Sequence, residues 1–315
     1  DGYRVGLAPT AMLRPDRLRG GRRKIVERAV LALERWRPAF ACRTGARPWQ
    51  LLCGCGAAAA GTFALVAEPL LALEVLGLLV SLPILASAIL RSLALLSPAT
   101  RRISLGTFAA DHELPSYTIL VPLFREAASL PQLVRALTKL DYPVSKLDIK
   151  LVLEAIDART IAAAQQMRLP PWFELVIVPL CPPMTKPKAL NYALQLARGE
   201  LLVIYDAEDI PDPDQLRLAV QHFGSRSNGI VALQAALVID NEQENWLTRQ
   251  FAIEYLVLFS ALLPTYARVG VPILLGGTSN HFVTRDLKRS GGWDAFNVTE
   301  DADLGIRMAR LGRGA

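Results

Sequence analysis

From Pro115 onward, short runs rich in Val, Ile and Leu alternate with segments of helical spacing. This alternation constrains the fold more than any other feature of the chain. "YTILVPLF" (117–124) reads as a strand and 126–140 as a helix. "DIKLVLEA" (148–155) is a second strand, followed by a helix over 160–168. "FELVIVPL" (173–180) is a third strand, and the helix over 187–198 is closed by Gly199, a common C-terminal stop. "ELLVIYD" (200–206) is a fourth strand, and the next helix spans 212–223 with Pro213 in its first turn. "GIVALQAALVI" (229–239) is a fifth. Strands this continuously apolar predict a mostly parallel sheet covered on both faces, hence a doubly wound α/β domain. Such sheets bind ligands beyond the carboxyl ends of their strands. After 240 come a long amphipathic helix (246–263), a Gly-rich loop "GGTSNHF" (276–282) and a helix opened by acids at 299.

The chain has 315 residues, 52% of them hydrophobic, and the apolar excess is concentrated between Leu51 and Leu96. "LLCGCGAAAAGTFALVA" (51–67) and "LLALEVLGLLVSLPILASAIL" (70–90) flank Glu68-Pro69. About 20 residues cross a bilayer as a helix, so these runs predict a transmembrane hairpin. The small residues of the first suit helix–helix contact. Basic residues cluster before it (Arg4, Arg14, Arg17, Arg19, Arg22, Arg23, Lys24, Arg28) and after it (Arg91, Arg101, Arg102), while Glu68 and Glu74 lie at or near the turn. That asymmetry puts both flanks in the cytoplasm, against anionic lipid. The expected division is a basic segment 1–48, a helix pair 49–98 and an α/β domain 110–315. A helix over Arg23–Trp36 is read either as the end of an upstream domain or as a membrane-surface helix. No aromatic residues interleave with the basic ones, so nucleic acid is not the expected partner. Cys42, Cys53, Cys55 and Cys181 form no CxxC pair, which indicates neither a disulfide framework nor a zinc site and suits a reducing compartment. The apolar run begins too late for a signal peptide.

Five acids fall within 206–214: Asp206, Glu208, Asp209, Asp212 and Asp214. Residues i and i+2 of an extended segment share a side, so Asp206 and Glu208 form a pair suited to a hard divalent cation, Mg2+ or Mn2+, shared with phosphate oxygens. Asp212 and Asp214 are expected to serve a helix start. Asp209 is left open. Glu154 and Asp157 end the second strand. Lys186 and Lys188 open a helix, where they are read either as solvated or as a diphosphate site. Glu300, Asp301 and Asp303 are read either as dipole and capping residues or as containing a general base. His281 has no metal-ligand spacing around it and is expected to be structural.

In order along the chain, "VPLFRE" at 121, an acid after the second strand, "KPKALNYAL" at 186, "YDAED" at 205, "GGTSNHF" at 276 and "TEDADLGIRMARLG" at 299 resemble the processive, membrane-bound, cellulose-synthase-like glycosyltransferases of family 2. The likeness covers roughly 51–312. It implies a GT-A fold binding a nucleotide-diphosphate sugar, preceded by two transmembrane helices. Pro122, Phe124 and Glu126 would border the nucleobase, and Asp157 would contact the nucleotide. Lys188 and Asn191 would complete the donor site with Asp206. Asp206 and Glu208 match the metal-holding DxD motif, with Glu as its second acid. Asp301 would be the base that deprotonates the acceptor. Gly277, Thr278, Ser279, Asn280, His281 and Glu300 would lie on the acceptor side. Implied partners are a glycan acceptor, the lipid bilayer of the inner (plasma) membrane and polysaccharide-export proteins. The chain stops at Ala315, before the QxxRW motif and further membrane helices of such relatives, as a fragment would. The alternatives are a non-catalytic transferase-like subunit and a non-processive transfer to a lipid carrier.

Overall fold

The computed structural model describes residues 15–96, 108–225 and 229–312. Arg4, Arg14, Arg101 and Arg102 lie outside them, and of Arg17, Arg19, Arg22 and Arg23 only the helical backbone is described. Helix α1 spans Pro15–Trp36. Helices α2 (Pro48–Ala67) and α3 (Pro69–Leu96) form the hairpin expected from the apolar runs. The α/β domain then runs β1 (Tyr117–Leu123), α4 (Leu130–Leu137), β2 (Leu147–Glu154), α5 (Ala158–Gln166), β3 (Phe173–Val178), α6 (Lys186–Leu196), β4 (Leu201–Ile204) and α7 (Gln215–Ser225). It continues with β5 (Ala232–Gln234), α8 (Trp246–Val257), a π-helical segment (Leu258–Leu262), α9 (Leu263–Val269), β6 (Asn280–Val283), α10 (Thr284–Arg289) and α11 (Glu300–Arg310).

The sheet order is β3-β2-β1-β4-β6-β5. Strands β1 to β4 are mutually parallel, whereas β6 runs antiparallel to both β4 and β5. The fold is therefore α/β with a mixed, mostly parallel sheet. Its two faces follow from the alternation of side chains along a strand. Tyr117, Ile119, Val121 and Leu123 enter one core with Leu130, Leu133 and Leu137 of α4. Leu120 enters the other, with Leu190 and Leu194 of α6, Phe282, Trp293 and Leu304. On α4 the spacing of Leu130, Leu133, Val134 and Leu137 gives the apolar stripe of a half-buried helix.

Several expectations are corrected. The fifth strand shrinks to Ala232–Gln234 because it pairs antiparallel at the sheet edge, beside β6. The Gly-rich stretch 276–282 is a loop only to Ser279; from Asn280 it becomes β6, inserted between β4 and β5. Asp212 does not open α7 with its side chain, since the helix begins at Gln215 and the Asp212 carbonyl accepts from its N–H. Gly199 is not a left-handed helix stop. Helix α6 ends at Leu196, and a Cβ at Gly199 would lie 2.3 Å from the backbone nitrogen of Thr118, so the residue is glycine because β1 passes against it. Helix α1 is packed on the α/β domain. Its Ala29 and Leu33 are buried, and the side-chain amide of Asn191 in α6 donates to Ala29 O at 2.9 Å. The chain before the hairpin is thus packed against the domain that follows it.

Candidate active site

The carboxyl ends of β1, β2 and β4 face one edge of the sheet, and the loops leaving them line a cavity of about 470 Å³. Antiparallel β6 begins at this same edge, where Asn280 pairs with Ile204. This brings the 276–279 loop beside the loop 205–209.

Asp206 and Glu208 both line the cavity. Asp209 holds their loop. Its carboxylate accepts the Asp206 N–H at 2.7 Å and a close hydrogen bond from the Thr278 hydroxyl. Burial raises the Asp209 carboxyl above its usual range, against the hydrogen bonds from Thr278 and Asp206. The ammonium of Lys186 donates to Asp206 Oδ1 at 2.6 Å and to Gly277 O at 2.8 Å. Gln234 fixes the other side of that loop, accepting from Gly276 N at 2.7 Å and donating to Thr278 O at 3.1 Å.

Asp301 approaches from α11. A Cβ at Gly277 would lie 3.8 Å from Asp301 Oδ2 and 4.0 Å from Lys186 Nζ, so these three groups meet around one point. The indole N–H of Trp293 donates to Asp301 Oδ1 at 3.0 Å. Asp301 is buried, and burial together with neighbouring Glu300 raises its carboxyl to about 7, while Lys186 and the Trp293 hydrogen bond act in the opposite direction. Burial also raises Glu300. A carboxylate poised near neutrality is matched to taking a proton.

Pro122, Phe124 and Glu126 line the cavity as expected from their place after β1, with Val152, Glu154, Ile156 and Met184. Phe124 and Ile156 are exposed apolar surface at its rim, fit to cover a flat ring. Asp157 does not line it. One carboxyl oxygen caps α5 by accepting from Thr160 N at 3.2 Å, and the other accepts from Arg125 N at 2.5 Å, steadying Arg125 at φ 64°. Burial raises Asp157, but these hydrogen bonds outweigh it and hold the carboxyl below its usual range.

Several residues assigned to the site from sequence lie elsewhere. Lys188 is wholly buried and pairs with Glu154 at 2.8 Å; the lysine that reaches the cavity is Lys186, two positions earlier on α6. Asn191 is also buried, donating to Trp293 O at 2.7 Å and accepting from Trp293 N at 3.0 Å. It supports the tryptophan that supports Asp301. Asn280 and His281 are core residues of β6, and His281 Nδ1 bonds the hydroxyl of Tyr117 at 2.6 Å. Full burial lowers the His281 imidazole to about 3, so it stays neutral. Ser279 is buried at φ 55°, where the chain turns into β6. Only Gly277, Thr278 and Glu300 of the acceptor-side set stand beside Lys186, Asp206 and Asp301. Trp293, Gln234 and Asp209 were not foreseen as site supports. The "GGW" just upstream of the acids was the available signal for Trp293, because two glycines before a large aromatic mark a tight, buried turn.

No group of three or more His, Cys, Asp and Glu side chains able to hold a metal occurs among the described residues. Two carboxylates lining one cavity, of which Asp206 already draws in the ammonium of Lys186, nonetheless fit a hard divalent cation that completes its shell from phosphate and water.

Residues 115–315 match the family described as "Glycosyltransferase like family 2". The chain belongs to that family. It is 30% identical over 196 residues to a beta-monoglucosyldiacylglycerol synthase of Synechocystis, covering 62% of this chain and 40% of the relative. It is 26% identical over 203 residues to a probable glycosyltransferase of Bacillus subtilis, covering 64% of this chain and 48% of the relative. The chain thus spans less than half the length of these curated relatives. A mannosyltransferase of Pyrobaculum calidifontis, solved with GDP-Man and Mn2+, shares the fold with a TM-score of 0.54 and 24% identity over 73% of this chain and 61% of its own.

Proposed function

We propose that the protein is a membrane-bound inverting glycosyltransferase moving a sugar from a nucleotide-diphosphate donor to a hydroxyl on a membrane-borne acceptor. The observation that carries this reading is the meeting of Asp206, Lys186 and Asp301 around Gly277, with Asp206 and Lys186 also lining the cavity. The nucleobase and ribose would occupy the apolar end near Phe124 and Ile156, with the diphosphate toward Asp206 and Glu208.

Asp206 and Glu208 would hold a divalent cation, and Mg2+ and Mn2+ both suit that donor pair. When bound, such a cation neutralises charge on the diphosphate. Asp301 takes the proton of the acceptor hydroxyl as its oxygen bonds to the anomeric carbon. The bond from that carbon to the diphosphate oxygen breaks, and the nucleoside diphosphate leaves with the electron pair. Attack from the opposite face inverts the configuration. Lys186 is placed to meet the negative charge gathering on the leaving group. Trp293 orients Asp301, and Asp209 with Thr278 holds the Asp206 loop in register with Gly277.

The membrane setting is supported by α2 and α3, which are long and apolar enough to cross a bilayer and have none of their apolar windows buried. The packing of α1 on α6 supports two crossings, because it needs both ends of the hairpin on one side. The basic flanks favour the cytoplasmic face of the plasma membrane for that side. A lipid acceptor is favoured over the end of a growing polymer by the name of the Synechocystis relative.

The test is transfer from labelled UDP- and GDP-sugars in membranes carrying the protein. Label in the solvent-extracted lipid is expected, dependent on a divalent cation. Label in precipitable polymer would return the reading to chain extension, and no transfer under any donor would favour a non-catalytic subunit.

A further inference from the structure

Trp293, whose indole N–H donates to Asp301, sits in a turn (291–297) that the α/β domain does not hold alone. From within the domain, Arg307 of α11 donates to Gly292 O at 2.7 Å. From outside, residues 29–43, ahead of the hairpin, close over the same turn. Leu33 and Trp36 of α1 press on Gly291, where a Cβ would lie 3.1 Å from Leu33 Cδ1 and 3.4 Å from Trp36 Cε3. The Asn191 amide bridges the two parts, donating to Ala29 O at 2.9 Å and to Trp293 O at 2.7 Å. Past α1, the Arg43 guanidinium lies 5.2 Å from the ring centre of Phe296. Arg310, at the end of α11, lies 4.9 Å from that of Phe40.

Asp294 makes the most direct tie. It follows Trp293 in the chain and is 2% exposed. One carboxyl oxygen accepts Phe296 N at 3.0 Å, inside the turn. The other accepts Cys42 N at 2.6 Å, from the segment that leads into α2. A carboxylate this buried is costly unless its oxygens are occupied, and N–H bonds to a charged acceptor are the strong ones. The Cys42 N–H therefore helps to keep the turn, and Trp293 within it, in one arrangement. Both supports of Asp301 thus contact this segment: the turn that carries Trp293, and the helix that carries Asp301 itself. The donor cavity does not contact it, since its lining residues all fall between Pro122 and Glu208.

We propose that the segment before the hairpin is a positioning element of the active site, with Asp294 as the positioning residue through which it holds Trp293 and so places Asp301. This rests on Asp301 as the base of the proposed transfer. The entry to the hairpin is then fastened to the base and not to the donor cavity. Disturbing it should lower turnover and leave donor binding as it was.

The test removes one hydrogen bond. Cys42 opens a 3-10 turn, Cys42–Thr44, and Ala41 before it is extended at ψ 125°, a setting that accepts proline. Cys42→Pro in the full chain deletes the N–H that Asp294 accepts. Cys42→Ala, which keeps that N–H, is the reference. With 5-fluorotryptophan incorporated, the fluorine resonance of Trp293 is identified by its loss in Trp293→Phe. In Cys42→Pro the Trp293 resonance is expected to move, and kcat to fall roughly 10-fold to 100-fold with donor KM unchanged, as for a displaced catalytic group. In a Trp293→Phe background the same substitution should lower kcat little further. Asp294→Asn, which keeps the shape but loses one acceptor, should act in the same way and replaces Cys42→Pro if that variant does not fold. An unmoved Trp293 resonance with unchanged kcat would overturn the proposal. An equal loss of kcat with and without Trp293 would overturn it too, since the segment would then act by another route. A parent protein without transfer would sink the functional reading alone. The fluorine resonance would still test the hold on Trp293: moved supports it, unmoved overturns it.

Discussion

At the scale of single residues, the proposed chemistry depends on how Asp301 is held. Burial and Glu300 push its carboxyl up to about 7, and the Trp293 hydrogen bond opposes them by favouring the charged form. The sign of two effects follows. As a base Asp301 works deprotonated, so kcat/KM is expected to fall with pH below about 7. Trp293→Phe removes a bond that favours the carboxylate, so the acidic limb should move to higher pH. A limb that stays in place, or moves down, would separate Trp293 from the titrating group. The linkage to stability runs the other way from the usual aspartate. With its folded value raised, Asp301 binds its proton more tightly in the native state, so it costs stability as pH rises from about 4 toward 7 and beyond. The place of Asp206 and Glu208 on the cavity was legible from two acids one residue apart after a buried strand, while their metal-holding role stays with the proposal. Lys186 and Lys188 were not separable, since both open the same helix and only packing decides which faces the core. For His281 the resemblance named an acceptor-side role, while the absence of metal-ligand spacing pointed to the structural place it occupies.

At the scale of elements, the site is an edge assembled from strand ends and braced by α6 and α11. Asn191 binds Trp293 through both its N–H and its C=O, and this works only because Gly292 lies between them at φ 68°. A Cβ there would stand 2.3 Å from Asn191 Oδ1. Gly292→Ala is therefore expected to destabilise the fold by about 2 kcal/mol or more through the positive φ and the lost bonds together, read as a lowered Tm. An unchanged Tm would show that the 291–293 turn tolerates a side chain. The parallel half of the sheet could be read from continuous apolar runs. The antiparallel half could not. Strand β6 is four residues long and follows a Gly-rich loop, and β5 pairs over three, too few for alternation to register.

At the scale of the whole molecule, the hairpin, α1 and the α/β domain constrain one another. In the proposed membrane setting, the packing of α1 on α6 puts the residues before α2 and those after α3 on one side of the bilayer. Cys42 is exposed in the short segment before α2, and Cys181 is partly exposed at the sheet edge after β3. An impermeant thiol reagent is expected to reach both from the same face of sealed vesicles. Labelling of one from each face would contradict the paired crossing. Composition alone marked α2 and α3 in the sequence, because their apolar runs are continuous.

The central claim is that this family 2 domain transfers sugar with Asp301 as its base. The most direct measurement compares Asp301→Asn with the parent protein for transfer rate, for nucleoside diphosphate binding with Mn2+, and for Tm at pH 8. The account predicts transfer lowered by roughly 100-fold to 10,000-fold, the range of a lost general base, with binding retained and Tm unchanged or raised. Full transfer by Asp301→Asn would contradict it.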